Sequence, residues 1–197
     1  MVAHRSTKSR ALHRSKRNKR WERHPQDWYV EPEWPTERLL EAEPFEGPIL
    51  DPACGLGRIV KVARRMGFTA TGSDVMRRAP GFKAADFFQR VRSVPNIVSN
   101  VPFRFAMAFV GHSLNLAERK VALLLPAGWV QADERSRWLA RTPLRRIWLL
   151  TPRPSMPPGT HVTERGNGTT DYAWLVWEQG YQGLPELGWL RREASTP

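Results

Sequence analysis

Three stretches of the chain concentrate residues capable of chemistry: DPACGLG at 51–57, AADFF at 84–88 and IVSNVPF at 97–103. In the first, Asp51 follows an apolar Ile-Leu pair, and Gly55 and Gly57 let backbone come close to a ligand. A dinucleotide site would want a third glycine where Val60 stands, and an acid at this turn would repel a pyrophosphate. Asp51 suits a ligand with a cationic amino-acid group and no phosphate, and S-adenosylmethionine is such a ligand. Asp74 lies 23 residues further on, at a predicted strand end where a carboxylate can accept hydrogen bonds from two ribose hydroxyls. Asp86 ends a third predicted strand and can accept from an adenine exocyclic amine, with Phe87 flanking the ring. A single acid after a strand is often only a helix cap. Three acids at three successive strand ends describe one site.

Such residues need a frame that gathers strand ends, and the hydrophobic pattern provides one. Residues 35–43 open on proline, carry Leu39 and Leu40 and stop before Pro44, which predicts a short helix. Ile49 and Leu50 end a strand. Residues 58–66 then place Ile59, Val60, Val62, Ala63 and Met66 at helical spacing until Gly67 stops them. Further strands are predicted over 68–75, 84–88, 96–100 and 120–130, with helices over 103–116 and 134–140. This alternation is that of a doubly wound α/β sheet. Two strands, 145–151 and 170–180, then flank a Pro/Gly-rich stretch too irregular for a helix, so the last strand is expected to return antiparallel.

At 197 residues, 41% hydrophobic and 25% charged, the chain is long enough for one domain with a sizeable core and too short for two. No apolar run approaches the roughly 18 residues that span a bilayer, and the N-terminus lacks an apolar leader, so a cytoplasmic protein with no membrane partner is expected. One cysteine excludes an internal disulfide, and five scattered histidines predict no metal site. Of the net charge of +12, +8 falls within residues 1–24. That arm is too polar to bury the surface that would offset its ordering entropy, and is expected to be disordered alone. Arg14, Lys16, Arg17, Lys19 and Arg20 are its candidate contacts to a phosphate backbone, DNA or RNA. The expected organisation is an arm over 1–24, one domain over 25–190 and a tail over 191–197.

DPACGLG, the GSD at 72–74, AADFF and SNVPF at 99–103, in this order, resemble the class I S-adenosylmethionine-dependent methyltransferases. Among these they are most similar to the amino-methyltransferases marked by Asn/Asp/Ser-Pro-Pro-aromatic. TTDYAWLVWEQGY at 169–181 is similar to the last strand of small bacterial and phage DNA adenine methyltransferases. The resemblance implies a Rossmann-like class I methyltransferase fold: a seven-stranded, mostly parallel sheet with an antiparallel last strand and helices on both faces. It implies S-adenosylmethionine as cofactor, held by Asp51, Ala53, Cys54, Gly55, Gly57, Asp74, Asp86 and Phe87, with Tyr29 and Pro32 of DWYVEPEW closing over its methionine end. Cys54 itself reads as a small buried packing residue and not a nucleophile.

It also gives IVSNVPF a mechanism. The lone pair of an exocyclic amine is delocalised into its ring. Asn100 and the Val101 carbonyl would accept its two N–H bonds, drawing the nitrogen towards tetrahedral geometry for one in-line methyl transfer. Pro102 would fix the turn, and Phe103 would stack on a base extruded from its helix. The departure is Val101, where the family has the first of two prolines: the carbonyl survives, the fixed φ does not. The reading that results is methylation of adenine N6 in DNA, with nucleic acid held by the arm and the active-site face. An RNA base or a protein glutamine would use the same residues. A third reading, in which Val101 is decisive, is a nucleic-acid-binding protein that keeps the fold without activity.

Overall fold

The computed structural model describes residues 27–159 and 168–192, so the five arm residues named above lie outside it. Eight strands form one sheet: β1 (Ile49–Asp51), β2 (Ala70–Asp74), β3 (Lys83–Ala84), β4 (Val94–Ser99), β5 (Ala117–Pro126), β6 (Leu144–Thr151), β7 (Tyr172–Glu178) and β8 (Glu186–Arg191). Their order is β3-β2-β1-β4-β5-β7-β6-β8. Only β7 runs antiparallel to its neighbours, inserted between β5 and β6, while the other pairs are parallel. The sheet is therefore the mixed α/β one expected, with the antiparallel strand beside β5.

Two elements differ from expectation. The count is eight strands and not seven, because β8 extends the sheet beyond β6 as a parallel edge. Gly188 disguises it in the sequence. A Cβ there would stand 2.3 Å from the Trp148 ring, so this glycine admits an aromatic against the edge instead of breaking the strand. The third strand, expected over 84–88, shrinks to Lys83–Ala84 and gives way to a 3₁₀ turn at Phe87–Gln89. Asp86 makes that turn: its Oδ1 accepts from the Phe88 amide at 3.0 Å, a side-chain cap that competes with strand pairing.

Helices α1 (Trp34–Ala42) and α2 (Arg58–Arg65) pack on one face of the sheet, and α3 (Ala106–Leu116) and α4 (Asp133–Leu139) on the other. The LLL run of β5 follows from this. Leu124 faces the first layer, Leu123 and Leu125 the second, and each is fully buried, as a strand covered on both sides requires.

At the end of the sheet away from the strand carboxyl termini, Glu43 is buried with Lys120 at 2.9 Å, Arg146 at 2.9 Å and the Trp148 indole N–H at 2.9 Å. Burial alone would raise the Glu43 carboxyl, but these hydrogen bonds outweigh it and hold the group below its ordinary value. The network ties α1 to β5 and β6. Among the described residues, no helix is long and apolar enough to cross a membrane.

Candidate active site

The parallel strands end on one edge of the sheet, and the chain order reverses between β1 and β4. In an open α/β sheet that switch point is where a crevice forms. Asp51 ends β1, 1% exposed. Its Oδ1 accepts from the hydroxyl of Ser99, the last residue of β4, at 2.7 Å and from the Ala53 amide at 3.2 Å. Burial pushes this carboxyl well above its ordinary value against the pull of the Ser99 hydrogen bond, and the nearby Glu31 and Asp74 charges push the same way.

The turn after β1 is shaped by its glycines, with φ of +50° at Gly55 and +74° at Gly57. It is sewn to β2: the Cys54 amide donates to the Ser73 carbonyl at 2.9 Å, and the Gly55 amide to Asp74 Oδ2 at 3.0 Å. The other oxygen of Asp74 accepts from the Met76 amide at 2.9 Å, and the Arg78 guanidinium stands 3.6 Å from it. Two backbone donors thus aim the Asp74 carboxylate while each oxygen keeps acceptor capacity. The Cys54 thiol is pushed up to about 12 by burial and then by Asp51 and Asp74, so it is a protonated wall residue.

A strap before α1 closes the other side. The Val30 amide donates to the Pro157 carbonyl at 3.0 Å, the Gly159 amide to the Trp28 carbonyl at 3.1 Å, and Tyr29 bridges to Pro158. This holds Trp28 over the glycine turn, with the Arg78 guanidinium 4.2 Å from its ring. The strap also delivers Glu31, 7% exposed. Its Oε2 accepts from Asn100 Nδ2 at 2.8 Å, and the Tyr29 carbonyl accepts from the same nitrogen at 3.0 Å. Burial raises the Glu31 carboxyl to about 7, moderated by the Asn100 hydrogen bond and by Arg58.

Between these walls lies a cavity of about 460 Å³, within the range of roughly 300–1,000 Å³ typical of small-molecule sites. Ten of the residues expected from the sequence line it: Tyr29, Asp51, Ala53, Cys54, Gly55, Asp74, Asp86, Phe87, Asn100 and Pro102. Pro32, Gly57, Val101 and Phe103 do not line it. Gly57 caps α2. Val101 is 1% exposed in the apolar cluster that holds Leu50, Phe87 and Phe109. Phe103 stacks on Tyr29, the rings 6.0 Å apart and 7° from parallel, and leans on Tyr172 at 5.8 Å. Sequence reasoning missed Trp28, Glu31, Arg58, Phe88, Arg104 and Phe105, which also line the cavity. The tryptophan and the glutamate were legible as residue types in DWYVEPEW, but nothing local marks them as facing inward.

Chemically, the cavity joins a buried acidic wall of Glu31, Asp51 and Asp74 to an aromatic one of Phe87, Phe88 and Phe105. A ligand with a cationic amino-acid group, a ribose and a purine would meet complementary groups on both.

No family model matches the chain, and no curated protein matches it significantly. Solved structures share its fold at low identity. A class I S-adenosylmethionine-dependent methyltransferase described from Listeria monocytogenes aligns over 82% of this chain and 65% of its own, with 15% identity and a TM-score of 0.55. The M protein of the type I restriction enzyme EcoKI aligns over 87% of this chain and 50% of its own (12% identity, TM-score 0.59). An RNA methyltransferase described from Pyrococcus horikoshii aligns over 80% and 91% (13% identity, TM-score 0.55). The chain spans about two thirds of the Listeria protein and half of the EcoKI one. Its fold is the Rossmann-like one of these methyltransferases.

Proposed function

We propose that the chain is an S-adenosylmethionine-dependent amino-methyltransferase acting on an exocyclic amine of a nucleic-acid base, adenine N6 in DNA. The observation that carries this reading is the orientation of Asn100. Both Nδ2 hydrogens are taken up by acceptors, the Tyr29 carbonyl and the Glu31 carboxylate, which assigns the amide and turns Oδ1 away from them. Among the described residues no donor reaches that oxygen, and Asn100 lines the cavity. Oδ1 is therefore an acceptor for a substrate N–H.

The cofactor fits the donor set. Asp51 offers a buried carboxyl, whose ionised form a cationic amino-acid group would favour, Asp74 accepts from its ribose, and Phe87 and Phe88 flank its purine. When bound, it supplies a methyl group on a positively charged sulfur that departs as a neutral thioether. Asn100 does the rest on the acceptor side: accepting one amine hydrogen holds the nitrogen in place and favours the electron-rich form that attacks. Transfer leaves the nitrogen with a surplus proton, which then passes to solvent water, since the Asn100 amide accepts a hydrogen bond but is not a base.

Nucleic acid is favoured over a small molecule by the charge of the first 24 residues, nine Lys/Arg against one acid. The test is Asn100→Ala assayed with labelled cofactor against separate DNA, RNA and protein pools. Transfer to DNA falls by at least about a hundredfold, while cofactor binding by calorimetry stays within a few-fold. Transfer at the wild-type rate would overturn the assignment, and label entering RNA instead would move the acceptor.

A further inference from the structure

The strap residue Glu31 has no role in the reading above, yet its geometry is specific. Asn100 needs a fixed amide: rotated by half a turn, it would present Nδ2 to the substrate amine, donor against donor. The Tyr29 carbonyl alone fixes one N–H. The second is fixed by Glu31 Oε2 at 2.8 Å, and an acceptor there, together with the Tyr29 carbonyl, forbids the rotated amide, which would set Oδ1 against two acceptors. An ionised carboxylate is acceptor-only, whereas a protonated one carries an O–H that can donate to Asn100 Oδ1, consuming the oxygen the substrate needs.

We infer that Glu31 is a positioning residue whose ionised form locks Asn100 in its working orientation and whose protonated form releases it. This rests on the proposed amino-methyltransferase reading. The titratable and charged groups that line the cavity with Glu31 come from every element around it: Asp51 and Cys54 from β1 and its turn, Asp74 from β2 with Arg78 after it, Arg58 from α2, Asp86 after β3, Arg104 after β4, and Asp27 and Tyr29 on the strap itself. Arg58 is the cation that acts on the Glu31 carboxyl. Its Nη1 donates to the Glu31 carbonyl at 3.1 Å, and its charge favours the ionised carboxylate. Burial works the other way and brings the titration to about 7. The sign follows: above that pH Glu31 is ionised and Asn100 is held, and as pH falls through it the lock is lost. Methyl transfer therefore has an acid limb near neutrality that belongs to a residue touching neither cofactor nor substrate nitrogen.

The experiment compares the wild type with Glu31→Ala and Glu31→Gln. In Glu31→Ala, kcat falls by at least about tenfold at high pH, while KM for DNA and calorimetric cofactor affinity stay within about threefold. Glu31→Gln keeps a carbonyl acceptor of the same reach but does not titrate. Like the protonated acid, it also carries a donor that can reach Asn100 Oδ1, so its rate stays near the low-pH rate of the wild type at every pH and shows no acid limb; a rate equal to that of the ionised wild type would overturn the inference. A second readout needs no activity: in the free protein the Asn100 side-chain N–H resonances shift with pH around a midpoint near 7, and in Glu31→Gln they do not. A wild-type rate and pH profile in Glu31→Ala, or an acid limb retained in Glu31→Gln, would overturn the inference while leaving the methyltransferase reading intact. If the wild type methylates none of the acceptor pools, that reading fails. The Asn100 resonances then still decide whether Glu31 governs the amide: a shift supports it, and flat resonances overturn it.

Discussion

Two phenylalanines separated by one residue divide the work around Asn100. Phe103, at the motif's aromatic position, has one ring face against Tyr29 and leans on Tyr172. Phe105 is 47% exposed, lines the cavity and carries the Arg104 guanidinium 4.7 Å from its ring. An extruded base needs an open π-face, and Phe105 offers one. Phe105→Ala is therefore expected to lower kcat/KM for DNA by about tenfold to a hundredfold, the loss of one base-aromatic stack of roughly 1–3 kcal/mol, with cofactor affinity unchanged. If Phe103→Ala gives that kinetic signature in a stable protein and Phe105→Ala does not, the motif aromatic is the platform. Which ring faces the cavity was not legible in the sequence, because a 3₁₀ turn over Phe103–Phe105 precedes α3 and sets directions that helical spacing does not give. Val101 is a related case. Its identity looked like a missing proline, but its side chain fills the cluster around Leu50 and Phe87, so packing is a physical reason for valine there.

The turn between β1 and α2 was legible because everything that makes it is local: an apolar strand end, an acid, two glycines and a helix with apolar residues at regular spacing. The structure adds why Gly57 is required. Its φ is +74°, and a Cβ there would stand 2.1 Å from the Phe82 ring. Gly57→Ala is expected to cost about 1–3 kcal/mol for the left-handed backbone alone, more once Phe82 is displaced, and to weaken cofactor binding because the Gly55 amide no longer reaches Asp74. Denaturant unfolding and calorimetry on the one variant check both; unchanged stability would mean the turn relaxes freely. The strap is the opposite case. Glu31 faces inward because its neighbours pair with Pro157, Pro158 and Gly159, well over a hundred residues away in the chain. A pattern read in short windows cannot find a contact of that separation, nor the edge strand β8, whose glycine reads as a breaker until Trp148 lies against it.

The cavity wall is rich in carboxyls, whereas the chain as a whole is strongly basic. Glu31, Asp51 and Asp74 place three carboxyls in the cavity wall, which disfavours a phosphate entering it. The chain as a whole carries +12, of which +8 belongs to residues 1–24. On the proposed reading, the basic chain would draw a polyanion to the molecule while the carboxyls of the cavity would admit an uncharged base in preference to a phosphate. The arm's share can be measured through counterion release, since log K falls with log salt by about 0.9 for each phosphate neutralised on a duplex. A chain beginning at residue 25 is expected to bind duplex DNA more weakly at low salt and with a shallower salt dependence. The reduction in slope divided by 0.9 counts the phosphates the arm covers, up to about nine if each Lys/Arg takes one. Its transfer rate at saturating DNA should match that of the full chain, because the arm acts on binding and not on Asn100. An unchanged slope would show that the arm makes no backbone contact and that the domain itself holds the acceptor.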